Sequence, residues 1–172
     1  FVKNTVFLNS NSGLEKPREK DLRQLVREVF SDRELEWTEP RFGSSAGVAD
    51  VTIPLKFGKL PVELKVWQYT RSGLKCEVRP TQIRYHRIAK QQGNRTAFIV
   101  LAIERSGESY LVLFPGSVCP QETYPWPPFP KPYYEVKFFW LSDDQAKLTK
   151  DMLVDLRKKI VSILESKDFW GK

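Results

Sequence analysis

The chain has no hydrophobic run long enough to cross a membrane. Its longest apolar runs, AFIVLAI and YLVLF, are far shorter than the roughly 20 residues that a membrane-spanning helix needs. The first residues also lack the order of charged, apolar and small residues that marks a signal peptide. We therefore expect a soluble, cytoplasmic protein without a membrane partner.

Cysteine is scarce, and the sequence contains no internal repeat and no low-complexity tract. The two cysteines, Cys76 and Cys119, match no metal-ligand spacing, and in an intracellular protein of this size we expect reduced thiols rather than a disulfide. The chain does contain a 41% hydrophobic fraction over 172 residues, which is enough for one substantial core. We expect a single domain over residues 1–172.

Periodicity predicts a helix in KPREKDLRQLVREVF, where apolar residues recur at the spacing of one helix face: Leu22, Leu25, Val26, Val29 and Phe30. A loop follows, with a short strand near ELEW. The runs ADVTIPLKF and PVELKVW, separated by GKL, predict a hairpin. Pro54 places the first strand of this hairpin at an edge or a bulge, because proline cannot donate to a ladder.

A second helix is predicted over residues 80–92, with proline at its start and Gly93 just past its end. TAFIVLAIE and SYLVLF predict strands, the first a buried central strand. The order helix, strands, helix, strand indicates an α/β fold of the α+β type, with helices against a mixed sheet. One face of the second helix contains Tyr85, Ile88, Ala89 and Gln92. Gln82 and His86 flank this face.

The C-terminal third begins with PGSVCPQETYPWPPFPKPYY, which holds seven prolines in twenty residues. These prolines predict an ordered, aromatic-rich loop over residues 115–134; an extended lid and a proline-rich ligand for a partner domain are the alternatives. A strand and a long helix then occupy residues 135–168. A capping box from Ser142 to Gln145 predicts the start of this helix, whose inward residues are Leu153, Leu156, Ile160, Ile163 and Leu164.

Charged residues interrupt the second strand of the predicted hairpin. Because side chains alternate along a strand, Glu63 and Lys65 share one face and Leu64 points to the other. Asp50 opens the first strand, and it lies near Glu63 only if the register brings it there, which the sequence leaves open. Two converging carboxylates suit a hard cation such as Mg²⁺, and a lysine beside them can orient a water or stabilise a phosphorane-like transition state. This pattern indicates phosphodiester hydrolysis; an exposed Glu–Lys pair on a half-buried sheet is the alternative.

Three segments together resemble a known family. GVAD, followed twelve residues later by ELK, resembles the core motif of the PD-(D/E)xK nuclease superfamily. RPTQIRYHRIAKQQGNRTAFIVLA resembles the glutamine-bearing helix and following strand of its Holliday-junction-resolvase-like and VRR-type branches, and REKDLRQLVREVF is similar to their acid-bearing first helix. The likeness covers residues 15–103 and implies a restriction-endonuclease-like core over about residues 15–114. Ala49 stands where the motif has proline.

The resemblance implies a metal site on the hairpin. Asp50, Glu63 and the backbone carbonyl of Leu64 would bind Mg²⁺, with Mn²⁺ able to substitute. Lys65 would act on the attacking water or on the transition state.

Neighbouring helices would complete the site that the resemblance implies. Gln82 would orient the site from the second helix, although an ordinary residue at a helix N-terminus is the alternative. Glu19 is the best match to the acid of the first helix, and Glu15 is the second choice. We interpret His86 as a partly buried helix residue, since this chemistry needs no histidine.

Positive charge is concentrated in residues 1–100, which hold 18 Lys and Arg against 11 Asp and Glu, whereas residues 101–172 hold ten of each. The segment RPTQIRYHRIAKQQGNR contains five basic residues and no acid, which is expected where a polyphosphate backbone lies; a solvated basic face is the alternative. Ser44 and Ser45 are candidates for a backbone contact, or belong to a flexible loop. The predicted DNA-binding cations are Arg71, Arg79, Arg84, Arg87 and Lys90.

These observations lead us to expect a Mg²⁺-dependent deoxyribonuclease that acts as an endonuclease. One alternative is a structure-selective resolvase of the Holliday-junction type, working as a homodimer so that two sites face two strands. Another is an inactive DNA-binding module, or a subunit of a DNA-processing complex. The presence of Asp50, Glu63 and Lys65 together favours the enzyme. By analogy, a small nuclease of this kind suits a phage or a mobile element.

Overall fold

The first helix forms where periodicity predicts it. The structure, a computed structural model, describes residues 18–38, 48–103, 108–120, 134–139 and 148–171. Helix α1 (Glu19–Phe30) buries Leu22, Leu25, Val26, Val29 and Phe30, the five apolar residues of the predicted face. A short strand, β1 (Glu36–Trp37), follows within ELEW as expected.

The hairpin is present, but its turn lies earlier than the sequence predicts. Strands β2 (Val51–Leu55) and β3 (Gly58–Val66) pair antiparallel, and Leu55 lies opposite Gly58, so the turn is Lys56 and Phe57. The prediction that GKL forms the turn is wrong, because these residues extend the ladder and bring buried Leu60 opposite buried Ile53. Gly58 begins β3 at a φ of +128°, a conformation that favours glycine.

Three further strands complete the main sheet: β6 (Ala97–Ile103), β7 (Glu108–Pro115) and β8 (Tyr134–Phe139). The order of the six strands is β1-β2-β3-β6-β7-β8, in which β3 and β6 are parallel and all other neighbouring pairs are antiparallel. β6 is the buried central strand that the sequence predicts. A two-stranded sheet that was not predicted, β4 (Gln68–Thr70) with β5 (Gly73–Lys75), follows β3. The architecture is therefore mixed α/β and compatible with an α+β description.

Helix α2 (Pro80–Gln91) connects the parallel strands β3 and β6 across one face of the sheet. Its buried residues are Gln82, His86 and Ala89, whereas Ile88 is exposed, so the packed face is rotated from the predicted one. The rotation has a physical cause, because the polar side chains turn inward to hydrogen-bond partners: Gln82 bonds to Glu63 on β3, and His86 bonds to Thr96 just before β6.

Each face of the sheet has its own hydrophobic core. On the face with α2 and the β4–β5 hairpin, the core includes Trp67, Phe98 and Phe114. On the other face, α1, α3 (Lys150–Leu164) and α4 (Lys167–Trp170) pack in a core that includes Val62 and Leu64. Alternate residues of the central strand, Ala97–Ile103, enter opposite cores: Ile99 and Leu101 lie in the second of these cores, and Phe98 and Val100 lie in the first.

The C-terminal helix begins later than predicted. The Ser142–Gln145 box lies outside the described residues, but Thr149 is extended and its hydroxyl accepts a hydrogen bond from the Met152 amide at 3.2 Å, which starts α3 at Lys150. The inward residues are as predicted, with Leu156, Ile160 and Leu164 buried. Most of the predicted proline-rich loop, residues 121–133, also lies outside the described residues. None of the helices in the described ranges is both long and apolar enough to span a membrane.

Candidate functional site

The register of the hairpin brings Asp50 to Glu63. Val51 pairs with Val62 in an antiparallel ladder. Asp50, which precedes Val51, therefore lies opposite Glu63, which follows Val62. The backbone carbonyl of Asp50 accepts a hydrogen bond from the Thr38 amide at 2.9 Å, which holds this end of β2 beside β1. The register that the sequence left open is therefore the one that a paired carboxylate site requires.

Both oxygens of the Asp50 carboxylate are held by the protein. Oδ1 accepts a hydrogen bond from Arg23 Nη2 at 2.8 Å, and Oδ2 accepts one from the Leu64 amide at 2.9 Å. The Asp50 side chain is 17% exposed, so the ion pair with Arg23 is partly shielded from water. A carboxylate offers about four acceptor positions, so each oxygen of Asp50 retains capacity for a further partner.

Glu63 is the most deeply buried acid of the site, at 1% exposure. Its Oε1 accepts a hydrogen bond from Gln82 Nε2 at 2.5 Å, and Lys65 Nζ lies 3.8 Å from the same oxygen. Its Oε2 is buried and has no hydrogen-bond partner within the described residues. An unpartnered buried carboxylate oxygen is costly, so it marks a position where a further donor or a cation would stabilise the protein.

The pKa of Glu63 is raised from 4.5 to about 8, chiefly by burial and then by the nearby charge of Asp50, whereas the charge of Lys65 acts to lower it. Glu19 also raises this pKa, so its charge lies within electrostatic range of the pair. A positive charge bound between two carboxylates offsets their repulsion and favours their ionised forms.

Gln82 is held in one orientation at the start of α2. Its Oε1 accepts a hydrogen bond from the Arg79 amide at 2.9 Å. Because a backbone amide can only donate, the oxygen of Gln82 must face Arg79 and the amide nitrogen must face Glu63. Gln82 therefore holds the side chain of Glu63 in place, and its role in orienting a metal site stays a prediction.

A pocket of about 560 Å³ opens beside this cluster at the end of β3. Glu19 and Lys65 both contribute to its wall, so the first helix and the hairpin meet there. Lys65 is only 12% exposed, which places its ammonium group at the inner wall rather than in open solvent. The lining residues are Arg18, Glu19, Lys65, Val66, Gln68, Thr70, Lys75 and Glu77.

The residues of the cluster fit a hard divalent cation. The available donors are carboxylates of Asp50 and Glu63, including the unpartnered Oε2 of Glu63, and the backbone oxygen of Leu64, whose own amide points to Asp50. Over the described ranges no three His, Cys, Asp or Glu side chains form a group that could hold a metal ion. Two carboxylates and one carbonyl leave coordination positions of a Mg²⁺ ion to be filled by water, which is the ligand set that this cation commonly has.

The predicted DNA-binding cations lie around this end of the molecule and along α2. Arg79 precedes the first turn of α2 beside Gln82, and Arg71 is exposed in the turn between β4 and β5. Three more are exposed on α2: Arg84, Arg87 and Lys90. Ser44, Ser45 and Glu15 lie outside the described residues.

Sequence reasoning missed Arg23, which forms the ion pair with Asp50. The sequence did contain a signal for a site role of Arg23, because it lies four residues after Glu19 and therefore on the same side of α1. Both residues lie beside the buried apolar face of this helix. The pocket residues Arg18 and Lys75 were also missed, since the β4–β5 hairpin that contributes Lys75 was not predicted.

Comparisons of this chain with known protein families, with curated proteins and with solved structures found no match. The geometry of the cluster is therefore the support for any assigned activity.

Proposed function

We propose that the chain is a metal-dependent phosphodiester hydrolase. More particularly, we propose a deoxyribonuclease of the PD-(D/E)xK type with a restriction-endonuclease-like core, acting as an endonuclease. The observation that carries this proposal is the cluster in which the register pairs Asp50 with buried Glu63, whose Oε2 has no partner in the described residues, while Lys65 faces the adjoining pocket.

Each side chain of the cluster has a distinct task in this proposal. Asp50, Glu63 and the Leu64 carbonyl would hold Mg²⁺, which supplies a water of lowered pKa when bound. Arg23 fixes the carboxylate of Asp50, and Gln82 fixes that of Glu63. These contacts fix the geometry of the site before the substrate arrives.

Lys65 is the residue that acts on the reacting groups. Its ammonium group lies 3.8 Å from Glu63 and faces the pocket, so it can orient the attacking water or offset the negative charge that develops on the phosphoryl oxygens. The shielding of Lys65 from solvent strengthens this electrostatic effect, because water screens it less.

DNA is the substrate class that the charge distribution favours. The exposed cations Arg84, Arg87 and Lys90 lie on α2, in a segment that contains no acid from residue 78 to residue 103. Such cations contact phosphates, so they position a strand without reading its sequence and give an affinity that falls with salt.

The test is Mg²⁺-dependent cleavage by the purified protein and two variants. Lys65→Ala and Asp50→Asn should each lower cleavage by on the order of 10³-fold, because each removes an interaction with the reacting groups or their ligands. Binding of DNA in EDTA should stay within about threefold of the wild type, since these residues are not the main phosphate contacts. Lys158→Ala on α3, on the opposite face of the sheet, controls for the loss of one positive charge. Undiminished cleavage by either site variant would sink the proposal.

A DNA-binding module without activity is the second candidate. It is favoured by the Arg23–Asp50 ion pair, which already gives one carboxylate a protein partner at 2.8 Å. The two candidates differ in a substrate panel of linear, single-stranded, flapped and four-way DNA with Mg²⁺ or Mn²⁺. Binding without cleavage of any of these by the wild type would select the module.

A further inference from the structure

A second polar and aromatic cluster lies at the far end of α2 from the candidate site. The guanidinium group of Arg95 lies 4.6 Å from the ring centroid of Phe57 and 5.1 Å from that of Trp170. The two rings meet edge to face with centroids 5.9 Å apart. We call these three residues the Arg95 clamp. They come from the hairpin turn, the α2–β6 loop and α4, three segments far apart in sequence.

The Arg95 clamp is held in place yet accessible. Trp170 Nε1 donates a hydrogen bond to the Leu164 carbonyl at 2.7 Å, which fixes the indole against the end of α3. Phe57 is 40% exposed and Arg95 is exposed. An aromatic ring that remains exposed beside an arginine, at the tip of a tight turn, offers a flat surface for a stacked ligand.

Two pockets flank the clamp and share the loop that carries Arg95. One, of about 640 Å³, lies toward the hairpin, and the other, of about 400 Å³, lies toward α4. The described residues lining the two pockets include Lys59, Lys90 and Arg95 and no Asp or Glu. Lys59 contacts Glu36, so Lys90 and Arg95 carry the charge that a ligand would meet. An acid-free wall of cations and rings is complementary to a polyanion that also has flat faces.

We propose that the Arg95 clamp binds unpaired nucleotides of the DNA substrate. This inference rests on the proposed function, because it assigns a second contact to the same DNA. Bases expose their flat faces only where they are not stacked within a duplex, so rings and a guanidinium plane favour a single-stranded segment. The clamp thereby selects DNA in which a duplex adjoins unpaired nucleotides.

The length of α2 sets the distance between the two contacts. Twelve helical residues span about 18 Å, so the clamp and the candidate site lie at opposite ends of a helix of that length. Arg84, Arg87 and Lys90 are exposed along the helix between them, where they can neutralise the intervening phosphates.

The experiment measures DNA binding by fluorescence anisotropy in EDTA, so that cleavage cannot interfere. The probes are a single-stranded 15-nucleotide oligomer and a blunt duplex of the same length. Phe57→Ala should weaken binding of the single strand roughly tenfold, within the range that loss of one base stack produces, and change duplex binding less than about twofold. Arg95→Lys should also weaken single-strand binding, because lysine keeps the charge and loses the stacking plane.

Matched variants separate stacking from charge and from folding. Lys158→Ala should lower binding of both probes by less than about twofold, because a single cation on the other face adds little. Melting temperatures of Phe57→Ala and Arg95→Lys near that of the wild type would show that the fold is retained. Equal weakening on both probes, or wild-type binding of the single strand by Phe57→Ala, would overturn the clamp.

The two proposals fail in different ways. If the wild type cleaves DNA but Phe57→Ala binds the single strand normally, the nuclease proposal stands and the clamp falls. If no substrate is cleaved but Phe57→Ala loses single-strand binding selectively, the clamp stands on a DNA-binding protein. Wild-type protein that binds neither probe at low salt would overturn the clamp.

Discussion

Two buried polar clusters on α2 lie one helical turn apart and have opposite characters. In one cluster Gln82 donates a hydrogen bond to Glu63. In the other, His86 Nδ1 and Thr96 Oγ1 are joined by a hydrogen bond of 2.7 Å. Both clusters are nearly inaccessible to water, with Glu63 and His86 each at 1% exposure. Their surroundings nevertheless differ, and the difference separates a candidate site from an ordinary core contact.

Around Glu63 the neighbours are charged and a pocket adjoins. Around His86 the neighbours are the rings of Tyr85 and Phe98, whose centroids lie 5.2 Å and 4.2 Å from that of the imidazole. Burial alone lowers the pKa of His86 from 6.5 to about 4, so the imidazole is neutral at physiological pH. The Nε2 atom of His86, like Oε2 of Glu63, is buried without a hydrogen-bond partner among the described residues, so charge rather than an unpartnered atom distinguishes the two clusters. A neutral ring packed between aromatic groups contributes contacts to the core, whereas an acid held among charges carries the kind of stability cost that functional sites often show.

Amide substitutions at the two positions give the largest expected contrast. Glu63→Gln should reduce cleavage by on the order of 10³-fold, because an amide is a poor ligand for a hard cation. It should leave the free energy of unfolding within about 1 kcal/mol of the wild type, since its oxygen still accepts from Gln82. His86→Gln should do the reverse: cleavage within about threefold, and a loss of about 2 kcal/mol from the ring contacts.

Urea unfolding and a cleavage assay on the same preparations check this contrast. His86→Gln serves as the matched control, because both variants place glutamine at a position that is 1% exposed. If His86→Gln abolished cleavage in a protein that remained folded, the assignment of His86 to the core would be wrong.

Acid should destabilise the protein through His86. The pKa of His86 is about 4 in the folded protein, against an ordinary value of 6.5 for an exposed imidazole, so the unfolded chain takes up the proton first as the pH falls. The neutral imidazole therefore contributes about 3 kcal/mol to the free energy of unfolding above pH 6.5, and this contribution is lost as the pH falls toward 4. At pH 5 about 2 kcal/mol of it is lost. Urea unfolding at pH 7 and pH 5 should show this loss in the wild type, relative to His86→Gln.

His86 is the sole histidine of the chain, so its imidazole signals in an NMR titration need no assignment. A folded-state pKa near 6.5 would contradict the burial on which the comparison depends. Because the reference variant retains every carboxylate, the difference between the two proteins isolates the imidazole from the titration of Asp and Glu.

The sequence predicted the elements whose residues follow a simple period. Helix α1 follows from five apolar residues at spacings of three and four, and β6 follows from an unbroken apolar run. Asp50 and Glu63 could be proposed as a pair, but not their register, because the position of the turn decides it. The sequence predicts the turn at GKL, because glycine is typical of turns, whereas Gly58 is the first residue of β3.

Polar residues that turn inward explain the other differences. Hydrophobic periodicity predicts that Ile88 lies on the packed face of α2, whereas Gln82 and His86 are buried because each has a hydrogen-bond partner, on β3 and just before β6 respectively. No period reveals such a partner before the fold is known. The ion pair between Arg23 and Asp50 was missed for the same reason, since it joins residues that are 27 positions apart.

The smallest expected effect tests how tightly the His86 cluster is packed. A methyl group at Gly116 would lie 2.0 Å from Thr96 Oγ1 and 2.8 Å from His86 Nδ1, so Gly116→Ala should destabilise the protein by about 2 kcal/mol through overpacking. Adding Thr96→Ala removes the nearer atom, so the double variant should lose less than the sum of the two single losses in urea unfolding. Strict additivity would show that the two positions do not touch. Because Gly116 and Thr96 do not line the pocket beside Glu63, cleavage by folded Gly116→Ala should match the wild type, whereas a parallel loss would mean that the packing of His86 also positions Glu63 through α2.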